Sequence, residues 1–393
     1  MFYLLMSSII FVCALLIIYW LHNQAWLQIS TPPVKAPATG AFISIIVPAR
    51  NEEKNITRCV EALLAQDYPA FEVIVLDDRS TDATPAILAS ISARDARLVV
   101  LGGVELPLGW AGKPHALYQA TRIATGEWLL FIDADTFLAP NALSASLANA
   151  QQTGADLYTI MTEQILGSFW EKTVMPLVMT ALSVGFSPNK VNDPASPDAI
   201  ANGQFILIRR SVYDAIGGHK KLRNLIVEDK AISEQVKRNG YRLIVADGRG
   251  VARTRMYTSL PQMWEGWTKN IYLGLSDRPG LMFLGGFGAF LALMAALFLP
   301  LWPALGVAWL TGVESSSRWM ALTVIAQALL VWGTILYYRA RVARQMGISG
   351  WFALTTPLGA GVFAAMMFTS AWKVLSGQGV TWKGRLYDPR IIR

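Results

Sequence analysis

Apolar and polar positions change rhythm three times along the chain. Phe2 to Leu21 is almost unbroken apolar sequence, close to the roughly 20 residues a helix needs to cross a bilayer. Trp20 and Trp26 follow where interfacial aromatics belong. Residues 30–41, with Pro32, Pro33 and Pro37, read as a semi-rigid linker. From Phe42 onward, short apolar runs alternate with segments of helical period. Ile43–Val47, Phe71–Leu76, Leu98–Leu101 and the run Trp128–Ile132 predict buried strands. Between them a helix carries Ile56, Val60, Leu63 and Leu64 on one face. A second runs to about Ala93 with Ser80 and Thr81 as candidate caps, and a third goes from Gly112 through about Ala124. Strands separated by helices imply right-handed crossovers and a mainly parallel α/β sheet.

Past Asp135 the alternation loosens. Leu157–Met161, Phe205–Ile208 and Tyr241–Ala246 predict further strands, Asn189–Pro197 a loop, and Ile226–Asn239 an amphipathic helix with Glu228 and Asp229 in its first turn. Phe169–Phe186 is apolar and Met-rich, which favours core or membrane-surface packing. Leu260–Leu275, holding Trp264, Trp267, Lys269 and Tyr272, suits a membrane interface. Leu281–Leu310 reads as a broken span or hairpin, and Trp319–Tyr338 and Phe352–Leu375 as further spans. The basic run Arg339–Arg344 reads as cytoplasmic. The tail Trp382–Arg385 is also basic, so the last apolar segment re-enters or the tail departs from the positive-inside rule. The expected layout is a span in 1–29, a linker in 30–41, an α/β domain in 42–258, an interfacial segment in 259–280, about three spans in 281–376 and a tail in 377–393.

Composition sharpens this picture. Over 393 residues, 53% are hydrophobic and 16% charged, with 14 tryptophans, which is greasy for a soluble protein. The net charge of +7 suits a cytoplasmic face against anionic lipid. Its bases are scattered or lie beside apolar spans rather than gathered with aromatics on one face, which argues against a nucleic-acid binder. Cys13 falls in the first apolar span and Cys59 in a helix, so neither a disulfide nor a cysteine metal site is expected.

The chemistry lies at the strand ends. Three strands run into acids: Glu52 and Glu53, Asp77 and Asp78, Asp133 and Asp135. In a parallel sheet these ends share the edge where ligands bind. Neighbouring carboxylates call for water or a cation, and hard oxygen donors suit Mg²⁺ or Mn²⁺ shared with a ligand's phosphates. The bland alternative is a solvated turn. No Gly-rich phosphate loop follows the first strand, so ATP hydrolysis and hydride transfer are not expected, and Lys113 is the candidate cation for a diphosphate. No Ser-His-Asp set stands out, and His22, His115 and His219 read as structural.

Val47-Pro48-Ala49-Arg50-Asn51-Glu52-Glu53, Val75-Leu76-Asp77-Asp78-Arg79-Ser80-Thr81-Asp82, Gly112-Lys113 with Ala116-Leu117, Asp133-Ala134-Asp135 and Glu228-Asp229 together resemble the ordered motifs of family 2 glycosyltransferases. The resemblance covers about residues 42–245. It is similar in particular to bacterial carotenoid and hopanoid-associated enzymes, through Leu106–Lys113 and the membrane segments. It implies a GT-A fold, Rossmann-like, with transmembrane helices at both ends. It implies a metal-dependent, inverting transfer from a nucleotide-diphosphate sugar, a UDP-sugar first, to a lipid acceptor at the cytoplasmic face of the bacterial inner membrane.

By the same resemblance Asp78 contacts the nucleobase, with Pro48 and Glu52 beside it. Asp133 lies near ribose and diphosphate, and Asp135, with Asp133, holds the metal. Asp229 is the base, with Glu228 next to it, although helix-start electrostatics alone would favour an acid there. Gly203 and Gln204 fall on an acceptor loop. Processive relatives carry Gln-x-x-Arg-Trp, whereas this chain has Gln262-Met263-Trp264-Glu265-Gly266-Trp267-Thr268-Lys269. That favours single-sugar transfer and leaves Trp267 and Lys269 as substrate-binding candidates. The rivals are a polyprenyl-phosphate transferase or polysaccharide synthase and, outside enzymes, a membrane scaffold or transporter subunit. A transporter should place acids inside its spans, and none is found there.

Overall fold

Ile43, Ile45, Ile46 and Val47 are completely buried, which places β1 (Ile43–Ala49) mid-sheet. A computed structural model describes residues 2–23, 40–275, 301–312, 318–382 and 385–387 of the chain. Strand β1 pairs in parallel with β2 (Phe71–Asp77) on one side and β4 (Trp128–Phe131) on the other. Next to β2 lies β3 (Leu98–Gly102), again parallel. The crossovers are α2 (Ile56–Leu64), α3 (Thr84–Ser92) and α4 (Gly112–Thr121). One polar side chain sits inside β1. Ser44 Oγ donates to Glu72 Oε1 at 2.7 Å and accepts the Gly126 N–H at 2.8 Å, which pins the turn leading into β4.

The far half of the sheet is mixed. Strand β7 (Ile206–Arg209) runs antiparallel to β4, and β6 (Leu157–Gln164) antiparallel to β7. Strand β8 (Leu243–Thr254) is parallel to β6, and β5 (Thr136–Leu138) is antiparallel to β8. The eight-stranded order is β3-β2-β1-β4-β7-β6-β8-β5. Strand β8 outruns its expected end at Ala246 because an irregularity between Thr162 and Glu163 shifts its register and lets it carry β5.

Two other local expectations are corrected. Ser80 and Thr81 do not cap α3, whose N-cap is Ala83 with no side-chain bond. Instead Ser80 Oγ accepts the Asn51 N–H and Asn51 Oδ1 accepts the Thr81 N–H, both at 2.8 Å, because two loops fold onto each other. The loop expected at Asn189–Pro197 contains α7 (Pro188–Asn192), started by proline. Helix α5 (Ala142–Thr153) escaped the pattern altogether, because its buried face is Ala, Ser and Asn as much as Leu.

The chain divides into two compact units. One comprises Gln28–Ile165, Phe186–Met256 and Arg385–Arg393 and holds the sheet, together with α8 (Arg210–Ala215), α9 (Gly218–Lys221) and α10 (Glu228–Arg238). The other comprises Met1–Leu27, Leu166–Gly185 and Tyr257–Gly384. It holds helices α1 (Phe2–Asn23), α6 (Phe169–Gly185), α11 (Leu260–Leu275), α12 (residues 301–312), α13 (Arg318–Gln345) and α14 (Thr356–Leu375). Helix α6 therefore belongs by packing to the helical unit. Among the described residues two helices are long and apolar enough to cross a membrane, Arg318–Gln345 and Gly350–Lys373, and α1 contains a shorter apolar stretch, Leu4–Tyr19. Leu4, Phe11, Ala14 and Ile18 pack on a core of Trp302, Val324, Ala328 and Val331. Ser7 Oγ donates to Gln327 Oε1 at 2.6 Å, and Gln327 Nε2 donates to Ser8 Oγ at 3.0 Å, clasping α1 to α13.

Helix α13 continues through the basic run to Gln345. Arg339, only 5% exposed, turns inward and its Nη2 donates to the carbonyls of Lys172 at 3.1 Å and Thr173 at 3.2 Å. Within α6 the Lys172 carbonyl would normally be served by residue 176, which is a proline without N–H. The last apolar segment opens with a 3₁₀ turn, Gly350–Thr355, before α14. The proline-rich linker up to residue 39, Trp26, residues 281–300 and, in the tail, residues 383–384 and 388–393 lie outside the described residues.

Candidate active site

The order β2-β1-β4, all parallel, brings the ends carrying Glu52, Asp78, Asp133 and Asp135 to one edge. Two loops there are held tightly. Asn51 and Arg79 adopt left-handed backbone, φ +53° and +58°, a conformation that neighbouring bonds must support. Asp82 Oδ2 accepts the Glu53 N–H at 3.1 Å, and Glu53 Oε2 accepts the Ala83 N–H at 3.2 Å. Thr84 Oγ1 accepts the Glu52 N–H at 2.8 Å. Asp78 is buried, its N–H donating to the Ala49 carbonyl at 2.7 Å. Arg50 Nη1 reaches the Asp78 carbonyl at 2.7 Å and stands 3.9 Å from its carboxylate. Arg50 was not singled out from sequence, and its place immediately after β1 was the available signal.

The centre of the site is Lys113, in the first turn of α4. A cation is disfavoured at a helix start, so nearby acids must stabilise it. Lys113 Nζ lies 2.7 Å from Asp133 Oδ1 and 2.8 Å from Glu228 Oε1. Burial works against the ammonium, but Asp133, Glu228 and Asp229 more than offset it and hold its pKa well above the usual value. Glu228 is thus a buried ion-pair partner, from a helix more than 100 residues further along the chain.

Asp229 faces the same point. Its Oδ2 accepts the Gly203 N–H at 3.1 Å and its Oδ1 the Lys230 N–H at 2.7 Å. Burial chiefly, then Glu228, raises its pKa to about 6, while Lys113 and the two N–H groups oppose the rise. A carboxylate of that kind is a competent base near neutral pH. Gly203 makes room for it: a Cβ there would lie 2.9 Å from Asp229 Oδ2 and 3.1 Å from Lys113 Nζ.

Beneath the acids, Cys59 Sγ lies 3.9 Å from the Asp133 carbonyl. Burial first, then Asp135, Glu52 and Asp133, pushes its thiol far up, so these carboxylates bear on one part of the floor. No group of three or more His, Cys, Asp or Glu poised for a metal occurs among the described residues. Asp133 and Asp135 offer oxygen donors only, and Asp133 already accepts an ammonium. That donor set would suit Mg²⁺ or Mn²⁺, hard cations that take oxygen ligands.

The family model of glycosyl transferase family 2 matches residues 44–217. A 4,4'-diaponeurosporenoate glycosyltransferase of Staphylococcus aureus is 30% identical over 354 residues, covering 88% of each protein. The chain belongs to glycosyl transferase family 2. A mannosyltransferase from Pyrobaculum calidifontis, solved with GDP-Man and Mn²⁺, superposes with TM-score 0.55 at 17% identity, covering 95% of this chain and 97% of that one, and shares the GT-A fold.

The remaining candidates of this family 2 chain fall in several places. Pro48 lies past Ile46, the last β1 residue paired with β4, so its missing N–H interrupts no bond to that strand. Gln204 is buried, its Oε1 accepting from the Thr162 hydroxyl and from Gln164 Nε2. Trp267 and Lys269 belong to the helical unit, where buried Trp267 packs near Tyr257 and its indole N–H meets Met175 Sδ at 3.4 Å. His115 and His219 are buried and bonded to Gln119 and Tyr213.

Proposed function

We propose that this glycosyltransferase is a membrane-bound, inverting enzyme of the bacterial inner membrane. It moves one sugar from a nucleotide-diphosphate sugar, a UDP-sugar first, to a hydroxyl of a carotenoid- or hopanoid-type lipid. The observation that carries this reading is the meeting of Lys113, Asp133, Glu228 and Asp229 beside Gly203. A base and a diphosphate-side cation stand together there. The name of the Staphylococcus relative supports a carotenoid acceptor, the apolar helices support a multi-pass chain, and the basic run Arg339–Arg344 supports a cytoplasmic catalytic domain.

Asp229 takes the proton from the acceptor hydroxyl as that oxygen attacks the anomeric carbon from the side opposite the leaving diphosphate, which inverts the centre. Lys113 offers its ammonium to phosphate oxygens while its tie to Glu228 fixes its position. Asp78, with Pro48 and Glu52 nearby, holds the nucleobase, and Gln204, Trp267 and Lys269 are assigned to the substrate. Asp133 and Asp135 would hold Mg²⁺ or Mn²⁺, which stabilises charge on the departing diphosphate as a Lewis acid.

Membranes containing the protein, given a panel of labelled nucleotide sugars, should yield one labelled lipid. Asp229→Asn should cut turnover by roughly 10²–10⁴-fold. An acceptor that arrives already ionised needs no base, so Asp229→Asn activity near wild type would replace the hydroxyl reading with a carboxylate or polyprenyl-phosphate acceptor. Failure of every activated sugar to label any lipid would leave a scaffold.

A further inference from the structure

Outside the acid cluster, the described residues of the sheet-bearing unit include one large apolar side chain almost fully in water. Leu108 is 95% exposed, and Val104 on the same loop is 60% exposed. The loop is built to present Leu108. The Trp110 N–H closes a turn onto the Pro107 carbonyl at 3.2 Å, with Gly109 at φ +81° after Leu108, a type II arrangement that calls for glycine there. Trp110 is braced against Tyr118 and His115, with ring centroids 5.1 and 5.2 Å away. The loop's base is tied across the molecule: the Ala111 N–H donates to the Arg223 carbonyl at 2.6 Å.

That tie sets Leu108 beside a basic surface. An open cavity of about 670 Å³ is lined by Gly109, Gly217, Lys220, Lys221, Arg223 and Asn224. The three cations are exposed, and none forms an ion pair with an acid among the described residues. Lys221 Nζ reaches only the neutral Gln235 Oε1, at 2.9 Å. Soluble anions would be served by the cations alone. An apolar tip held rigidly next to unneutralised bases matches a surface with phosphates above hydrocarbon.

We propose that the Leu108 turn and the Lys220–Lys221–Arg223 rim form a docking surface for anionic phospholipid head-groups, with Leu108 entering the acyl boundary. This rests on the membrane-bound reading above. It adds a second, lipid-dependent attachment of the sheet-bearing unit, beside the loops that lead to Lys113 and to Glu228-Asp229.

The test uses the full chain in nanodiscs. With Cys13→Ser removing the exposed thiol and Cys59 buried, an environment-sensitive fluorophore is placed on Leu108→Cys. Its emission should shift to the blue in discs containing phosphatidylglycerol relative to pure phosphatidylcholine. The shift should be lost when Lys220→Gln, Lys221→Gln and Arg223→Gln are combined. Equal emission in both lipids, with the chain inserted, overturns the inference and leaves the membrane-bound reading standing. So does a shift in phosphatidylcholine discs that appears only on adding inorganic phosphate or a UDP-sugar, because the rim would then serve a soluble anion. A chain that does not enter the discs overturns both.

Discussion

At Gly203 any side chain would press on Asp229 Oδ2 and Lys113 Nζ together, at 2.9 and 3.1 Å. Gly203→Ala should therefore leave the fold intact and lower kcat by about 10²-fold, the cost of displacing reacting groups by about an ångström; steady-state kinetics with a circular dichroism control would check it. Asp229 also sets a pH dependence. Its pKa is raised from 3.8 to about 6, and only the ionised form accepts a proton. Activity should fall as pH drops through about 6. Lys113 holds that value down, so Lys113→Met should move the midpoint upward in a pH–rate profile, besides weakening donor binding. Sequence named Lys113, Gly203 and Asp229 separately, but the hydrogen bond and ion pairs joining them depend on packing.

Among the elements, α6 and α13 show how one residue's deficit is met by another's. Pro176 withholds an N–H from the Lys172 carbonyl, and Arg339 supplies one from α13. Arg339→Met should lower thermal stability, since a buried acceptor left unserved costs about 1–3 kcal/mol. The loss should shrink in a Pro176→Ala background, where residue 176 can donate again. A double-mutant cycle measured in detergent should give a coupling of roughly 0.5–3 kcal/mol, and strict additivity would refute the pairing. Strands β1, β2 and β4 were legible because each is a largely buried apolar run, and β3 because Leu98 to Leu101 is apolar throughout although Val99 is exposed. Helix α5 was not, because its buried Ser144, Ser146 and Asn149 look polar in a one-dimensional pattern. Ser80 and Thr81 misled because their bonds go to a neighbouring loop rather than to their own helix.

For the whole molecule, binding of the nucleotide sugar should need a divalent ion. Chelation by EDTA should abolish binding of a labelled UDP-sugar, and Mn²⁺ should restore it. Asp135→Ala should bind no better with Mn²⁺ than without, as read by equilibrium dialysis. Sequence by itself determined that acids end neighbouring strands, because parallel crossovers deliver every carboxyl end to one edge whatever the loops do. It also determined the apolar helices, whose length and composition are local properties. Only the tertiary structure decided that Lys113 pairs with Glu228 as well as Asp133, that Gly203 presses against Asp229, and that Arg339 is buried rather than left among surface bases. Each of these meetings joins residues tens to more than a hundred positions apart, brought together by packing that no local pattern records.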